Sequence, residues 1–377
     1  MRLRLGQTSV DWLLLLTVVG LLLFSIALVY SASASVAAWK FGSSHHFLWR
    51  QALRAGLSIA VILVVLNVDY HFWLRWAGPM LWIGAGLLLL TLVVGEPIKG
   101  ATRWLELGFF RFQPSEFVKY ALPLAIAARL SSAGPPLDLA HPAVRRAILW
   151  LVLCWVLIAA QPNASAAGLV AFLGFLALAA VGVRIRTLAL LAGLGAAGFL
   201  IYVLAAPYRF QRLVAFLGSW QGQISYQTRQ SLLAFGHGGL FGVGPGQSLQ
   251  RELFLPEAYS DFIFAIIGEE YGLLGTTAIV GAFLLILWRG LRIALHCPDT
   301  FGRVAALCIT ATLAVYALVH MGVTTGLLPV TGVPLPFLSY GGSSVFFSAA
   351  ATGILLNIGR WNSLEAKVHP TFVVRPS

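Results

Sequence analysis

Charge is what this chain lacks. Only 10% of its residues are charged, and acids are the scarcer sign, with 13 Asp and Glu in 377 residues. Soluble domains carry about a quarter charged residues, so the composition excludes an ordinary soluble globule. Cysteine is also sparse. Cys154, Cys297 and Cys308 are odd in number and show no CxxC spacing. That argues against a disulfide framework or a thiolate metal site. Two of them fall in apolar runs and read as small core residues. The net charge of +12 raises nucleic-acid binding as a function, but there is no soluble basic domain to carry it. Topology signals and attraction to anionic membrane lipids account for the excess of base.

What is present is apolar length. Hydrophobic residues make up 59% of the chain and the mean hydropathy is +0.86. Runs of about 20 apolar residues can each span a bilayer as a helix. Ten are predicted, near 11–33, 48–67, 72–94, 114–130, 145–160, 164–182, 187–206, 258–288, 302–325 and 340–358. The first, "WLLLLTVVGLLLFSIALVY", is too long for a signal peptide and lacks a clean small-residue cleavage site. Ten spans put both ends on one side. With the N-terminus inside, the inner segments hold 14 of the 25 Lys and Arg, while Arg50 and Arg54 of the outer set can sit within the second helix. Four more outer ones (Arg209, Arg212, Arg229, Arg251) lie in one long loop, and long loops translocate largely regardless of charge. The reading is an all-α polytopic membrane protein with both termini cytoplasmic, one integral membrane domain over residues 1–377. Two longer loops are extracytoplasmic: 95–112, and the large loop 207–257 between the seventh and eighth helices.

The second loop is not a linker. It has amphipathic stretches ("QISYQTRQSLLAF") and a glycine-rich run, "GHGGLFGVGPGQS", at 236–248. Loops of this length inside compact domains are usually functional. No strand–turn–helix surrounds its G-x-G spacing, so it is not a dinucleotide fingerprint. Backbone turns and close packing are the favoured reading over phosphate cradling.

Three stretches carry polar groups that are costly in a membrane. In "FQPSEFVKY", 112–120, Pro114 suits the first position of a helix and Glu116 its positive end. Capping alone explains both. Lys119 lies one turn on and on the same face, and an ionisable pair entering the membrane should face a cavity or a partner. Arg103 and Trp104 add a cation and an amphipathic ring at the same level. A positive, aromatic-lined mouth of this kind can hold an anionic lipid headgroup such as a pyrophosphate. In "PEAYSDFIFAIIGEEYGLLG", 256–275, Asp261 falls at a predicted helix start, where capping again competes. Glu269 follows about 12 Å along the axis and roughly 80° around it, with Glu270 nearly opposite Asp261. Asp261 can therefore serve an outward-facing site, while Glu269 and Glu270 read as members of a buried network.

The third stretch, "TGLLPVTGVPLPFLSYGGSS", 325–344, has three prolines and seven glycines or serines. It predicts a broken entry to the last helix, and irregular backbone at membrane depth needs protein or water to satisfy it. It carries no charge, so it cannot be the acid–base centre. A hinge and a site wall that offers backbone and hydroxyl groups explain it equally well. His237 and His320 lack metal-ligand spacing and read as packed or interfacial histidines. Asn163 opens "NAS", a bare sequon that carries little weight.

Taken in this order on ten helices, these motifs resemble the SEDS family (shape, elongation, division and sporulation) of bacterial membrane proteins. The likeness runs from "DWLLLLTVVGLLLFSIALVYSAS" to "GILLNIGRW" and rests on "FQPSEFVK", "GGLFGVGPGQS", "LPEAYSDFIFAIIGEEYGLLG" and "PLPFLSYGGSS". "YRFQRLVAF", "SDFIFAIIGEE" and "TGLLPVTGVPLPFLSYGGSS" look more like the division branch (FtsW, with its sporulation relative SpoVE) than RodA.

The resemblance implies a peptidoglycan glycosyltransferase in the bacterial cytoplasmic membrane, acting at the septum on lipid II, a disaccharide-pentapeptide on undecaprenyl pyrophosphate. It makes Asp261 of "DFIF" the catalytic residue. Glu116, Lys119, Arg103, Trp104, Gln113, Ser115, Ser339, Tyr340, Gly341, Gly342, Ser343 and Gln247 become substrate-binding candidates. Partners implied are a class B penicillin-binding protein, other division proteins and membrane lipids. There is no metal motif and no required cofactor, although Mg²⁺ or Mn²⁺ bridging pyrophosphate and Asp261 or Glu116 stays open. The chain departs from the family pattern at "QPNASAA", where Asn163 replaces the usual acid, and at His320 and His237. Altered hydrogen bonding is the expected consequence. Two rivals remain, a flippase for the same lipid and a non-catalytic scaffold. A transporter wants charge at the midplane, whereas most candidates here lie at one face.

Overall fold

A computed structural model describes residues 10–95, 102–107, 110–134, 136–219, 224–252 and 254–368. Arg2, Arg4, Lys99 and Arg375, which entered the charge count, lie outside these, as do 96–101, 108–109 and 220–223 of the two long loops. The described residues form ten long helices. They are α1 (Trp12–Phe41), α2 (His46–Leu66), α3 (Tyr70–Val94), α4 (Pro114–Ser131), α5 (Pro142–Ala160), α6 (Ala164–Val181), α7 (Ile185–Leu204), α10 (Ile263–Leu295), α11 (Thr300–Thr324) and α12 (Gly342–Val368). Between α7 and α10 lie the shorter α8 (Pro207–Ser219) and α9 (Tyr226–Gly238).

Nine of the long helices are long and apolar enough to cross a membrane. The tenth, α4, carries Glu116, Lys119 and Arg129. Its apolar and small residues are nearly all buried because α3, α5, α6, α11 and α12 pack around it. A charged helix is tolerated there since protein, not lipid, is its solvent. The helix starts are chemically marked. Asp11, Asp69, Asn163 and Asp299 each accept a backbone N–H at the start of α1, α3, α6 and α11, which satisfies donors a helix start leaves open. Asp11 also pairs with Arg289 at 2.7 Å and so ties α1 to α10.

The structure corrects several sequence expectations. The all-helical class holds, with one small addition, in that β1 (Leu105–Leu107) and β2 (Phe110–Phe112) pair antiparallel, Leu105 opposite Phe112. α1 runs on to Phe41 and α2 starts at His46, which brings Arg50 and Arg54 inside α2. The eighth long helix starts at Ile263, not near 258. Asp261 lies in a turn before it, so the helical angles from Asp261 to Glu269 and Glu270 do not apply.

α10 is interrupted at Gly272, whose φ of 64° and ψ of −158° are a conformation essentially reserved for glycine. The freed backbone groups find partners in the glycine-rich loop. Leu273 and Leu274 donate to the carbonyls of Gly239 and Leu240 at 2.9 and 3.2 Å, while Val243 and Gly244 donate to Glu269 and Glu270 at 2.9 and 3.1 Å. Close approach requires the missing side chains. A Cβ on Gly238 would stand 1.9 Å from the Gly268 oxygen, and one on Gly242 would stand 2.2 Å from the Glu270 oxygen. The loop amides are spent on α10, which leaves close packing as the role of this run.

Gly272→Ala should therefore cost about 1–3 kcal/mol through backbone strain, and Gly238→Ala a similar amount through overpacking. Gly20→Ala, which meets nothing within 4 Å, is the control. Thermal unfolding in detergent should rank the first two well below the third, and equal midpoints for all three would contradict the docking described.

Candidate active site

The site is built at the end of the bundle where α4, α10 and α12 begin. Pro114 opens α4, and Lys119 follows Glu116 at three residues, on one face. The Lys119 ammonium lies 2.5 Å from the Glu116 carboxylate. It is fully buried, 4.0 Å from the centre of the Tyr316 ring on α11, and 3.5 Å from the Ser344 hydroxyl on α12. Glu116 is thus an ion-pair partner as well as a first-turn acid. Lys119 has no solvent access in this arrangement, so direct contact with a headgroup requires the 341–344 turn to open.

That turn is fastened to the start of α4. The Ser343 hydroxyl accepts from the Gln113 amide at 3.0 Å and donates to the Arg111 carbonyl at 3.2 Å, and the Gln113 side chain donates to Ser115 at 3.1 Å. Gly341 and Gly342 carry the chain into α12 beside these contacts.

The non-helical strap 325–341 then runs toward Asp261. Its backbone is held from two helices, where His320 of α11 bonds the Val333 carbonyl at 2.8 Å and Ser165 of α6 donates to the Thr331 carbonyl at 3.2 Å. Between these anchors, Gly332 (φ 68°) lies against the Asp261 carboxylate. A Cβ there would stand 3.3 Å from Oδ2. Ser339 donates to the Ser260 carbonyl at 2.6 Å, and the Tyr340 amide donates to the Tyr259 carbonyl at 3.0 Å. Phe337, buried, holds a φ of 66°, a strained conformation that persists only where surroundings over-determine it. Asp261 is partly exposed. The residue at the cap of α10 is Phe262, one position after the aspartate. Burial, with the neighbouring Glu257 carboxylate second, pushes the Tyr259 hydroxyl well above its ordinary range. Tyr259 stays protonated and cannot compete as a base.

Three of the candidates stand apart. Arg103 donates through Nε to the Gln161 carbonyl at 3.4 Å and through Nη2 to the Pro162 carbonyl. It therefore grips the negative end of α5, with Trp104 beside it half-buried. Gln247 is exposed within the loop docked on Gly272, its amide bonded to the Gly244 carbonyl at 3.2 Å. Glu269 and Glu270 face that loop rather than the strap. Glu269 accepts from the Ser248 hydroxyl and from the Leu249 and Gln250 amides, both at 3.2 Å, with His237 at 3.4 Å. Glu270 accepts from Ser31 of α1, whose carbonyl takes a bond from Arg251 at 3.3 Å. Asn163 caps α6. Sequence reasoning missed Tyr316, Gly332 and Ser31, which have no local signal because their partners lie far along the chain. Among the described residues no three His, Cys, Asp or Glu gather as a metal cage.

The family model described as "Cell cycle protein" (FtsW/RodA/SpoVE) matches residues 11–364. Stage V sporulation protein E of Bacillus subtilis is 39% identical over 94% of this chain and 98% of its own length. The probable peptidoglycan glycosyltransferase FtsW of Trichlorobacter lovleyi is 42% identical over 92% of each. Among solved structures, one from a study of how a peptidoglycan synthase complex coordinates polymerization and crosslinking superposes with a TM-score of 0.75 at 27% identity, covering 94% of this chain and 98% of the other. A mutant of the rod-shape-determining protein RodA of Thermus thermophilus gives 0.70 at 26%, covering 93% and 98%.

Removing one member of a buried ion pair strands the other charge, at a cost of about 3–5 kcal/mol. Glu116→Gln and Lys119→Met should each lower folded yield and unfolding temperature sharply. The double variant should recover part of the loss, and strictly additive losses would show that the pair is not coupled.

Proposed function

We propose that this chain, which belongs to the FtsW/RodA/SpoVE family of cell cycle proteins, is a multi-pass membrane peptidoglycan glycosyltransferase that polymerises lipid II, with Asp261 as its catalytic base. The observation that carries the site is the continuous run from the strap into the first turn of α12, which touches Asp261 at Gly332 and the Glu116–Lys119 pair at Ser344. One segment thus links the candidate base to the buried cation.

The chemistry follows from these groups. A sugar hydroxyl on one lipid-linked chain attacks the anomeric carbon of another. The new C–O bond forms as the bond to lipid pyrophosphate breaks, the electron pair leaves with the pyrophosphate, and the hydroxyl proton passes to Asp261. A carboxylate within hydrogen-bond reach is suited to that transfer, and fixed cations stabilise the departing pyrophosphate. Arg103 is a fixed cation at this level, held on the Gln161 and Pro162 carbonyls. Lys119, buried on Glu116, acts in the closed arrangement by holding the Gly341–Ser344 turn, and reaches pyrophosphate when the turn opens. Gln113, Ser115, Ser339, Tyr340 and Ser343 form the polar wall between the two centres. Mg²⁺ or Mn²⁺, if used, would be held by Asp261 and substrate oxygens and would supply charge neutralisation.

The site end of the bundle faces outward in this reading, with both termini in the cytoplasm and the septum as the place of action. The names of the FtsW relatives support the division role. The likeness to a peptidoglycan synthase complex supports a class B penicillin-binding protein as partner, alongside other division proteins.

The test uses purified protein, alone and with its transpeptidase, given fluorescent lipid II and run on a glycan-resolving gel. Wild type should make polymer, and Asp261→Asn, matched for folding, should lose at least about a hundredfold in rate. Equal polymer from both would remove Asp261 as the base, while no polymer from either would favour lipid translocation.

A further inference from the structure

α2 brings one more cation to this end of the bundle. Arg54 lies two turns into the helix, and its guanidinium stacks over the Tyr340 ring at 4.1 Å. The ring belongs to the strap, and the Tyr340 amide is bonded to the carbonyl of Tyr259, two residues before Asp261. Phe47 packs on both tyrosines, with ring centres 5.0 Å apart in each case. Arg54 thus reaches the Asp261 turn through a rigid aromatic cluster.

The surroundings of Arg54 are incomplete. Its Nη1 is buried and has no hydrogen-bond partner, and no carboxylate among the described residues pairs with it. Two other arginines near this end are held on backbone carbonyls. Arg103 bonds two carbonyls and Arg251 bonds one. A guanidinium inside a membrane-spanning segment is costly unless it meets an anion or a cavity, and a buried donor without an acceptor adds to the cost. Stacking alone gives the charge a neighbour but not an acceptor. The arrangement is suited to an oxyanion such as a phosphate, two of whose oxygens a guanidinium fork can grip.

From this we infer that Arg54 is an anion-binding residue of the same site, contacting a phosphate oxygen of the pyrophosphate-linked lipid where it passes between α2 and the strap. The inference rests on the lipid-polymerising reading and deepens it, assigning the pyrophosphate side of the site to α2. The same chemistry would also hold the phosphate of a bulk anionic phospholipid, so the test must separate the two.

Direct binding does this without needing turnover, so a failed polymerisation assay leaves it standing. Wild type, Arg54→Met and Arg54→Lys are placed in phosphatidylcholine nanodiscs and titrated with undecaprenyl pyrophosphate, then separately with phosphatidylglycerol. Methionine keeps the packing stem and removes the donors, whereas lysine keeps the charge. Arg54→Met should weaken undecaprenyl pyrophosphate binding about tenfold, with Arg54→Lys between it and wild type, because lysine keeps the charge but loses the fork. Phosphatidylglycerol binding should not change. Equal pyrophosphate binding by wild type and Arg54→Met would overturn the inference. So would a wild type that does not bind the pyrophosphate lipid, or an effect confined to phosphatidylglycerol. If Arg54→Met does not fold, Arg54→Lys stands in for it, and wild-type affinity for the pyrophosphate lipid in Arg54→Lys would overturn the inference, since the fork would then be of no use.

Discussion

Backbone that leaves the helix inside a membrane protein must find its hydrogen bonds within the protein, and this fold depends on meeting that demand twice. One interruption, at Gly272, is filled by the glycine-rich loop, which lends α10 four backbone bonds. The other is the strap before α12, whose carbonyls are taken by His320 and Ser165 and whose hydroxyl and amide hold the turn at Tyr259 and Ser260. Each interruption stands next to acids that a membrane would otherwise exclude. Beside the first lie Glu269 and Glu270, and beside the second lies Asp261.

The two sets of acids are treated differently, and the difference separates structure from chemistry. Glu269 is sealed from solvent and saturated by a hydroxyl and two amides, which suits a fixed anion that locks a loop. Asp261 is partly exposed and faces a glycine whose lack of a side chain leaves room at the carboxylate. A base needs that access. The Glu116–Lys119 pair is internally neutral and bonded to Ser344 in the first turn of α12, directly after the strap, so movement of the strap would be felt at both charged centres.

Much of this was legible in the sequence, for stated reasons. Ten helices follow from ten apolar runs, and α4 among them follows from Pro114 and its apolar continuation despite three charges. The candidate residues stood out because charge is rare in this chain. The misses have a common cause. Residues 256–262 carry no glycine and only one proline, at the start, so they read as helix, yet tertiary bonds from Ser339 and Tyr340 hold them as a turn. The β1–β2 pair is three residues a side, too short for a periodic signal. Tyr316 and Ser344 meet Lys119 from elements about 200 residues away along the chain, and no local pattern announces such contacts. Arg54 looked like a topology charge until its ring partner and its unpartnered nitrogen were seen.

The central claim is that the strap sets the working position of Asp261. Steady-state kinetics of Gly332→Ala on lipid II test it most directly, because a methyl group there meets the carboxylate itself. The account predicts kcat lower by about a hundredfold, the scale of a misplaced catalytic group, with KM within about twofold, measured per folded protein because the positive φ at Gly332 also strains the variant. A Gly332→Ala protein that polymerises at the wild-type rate would contradict it.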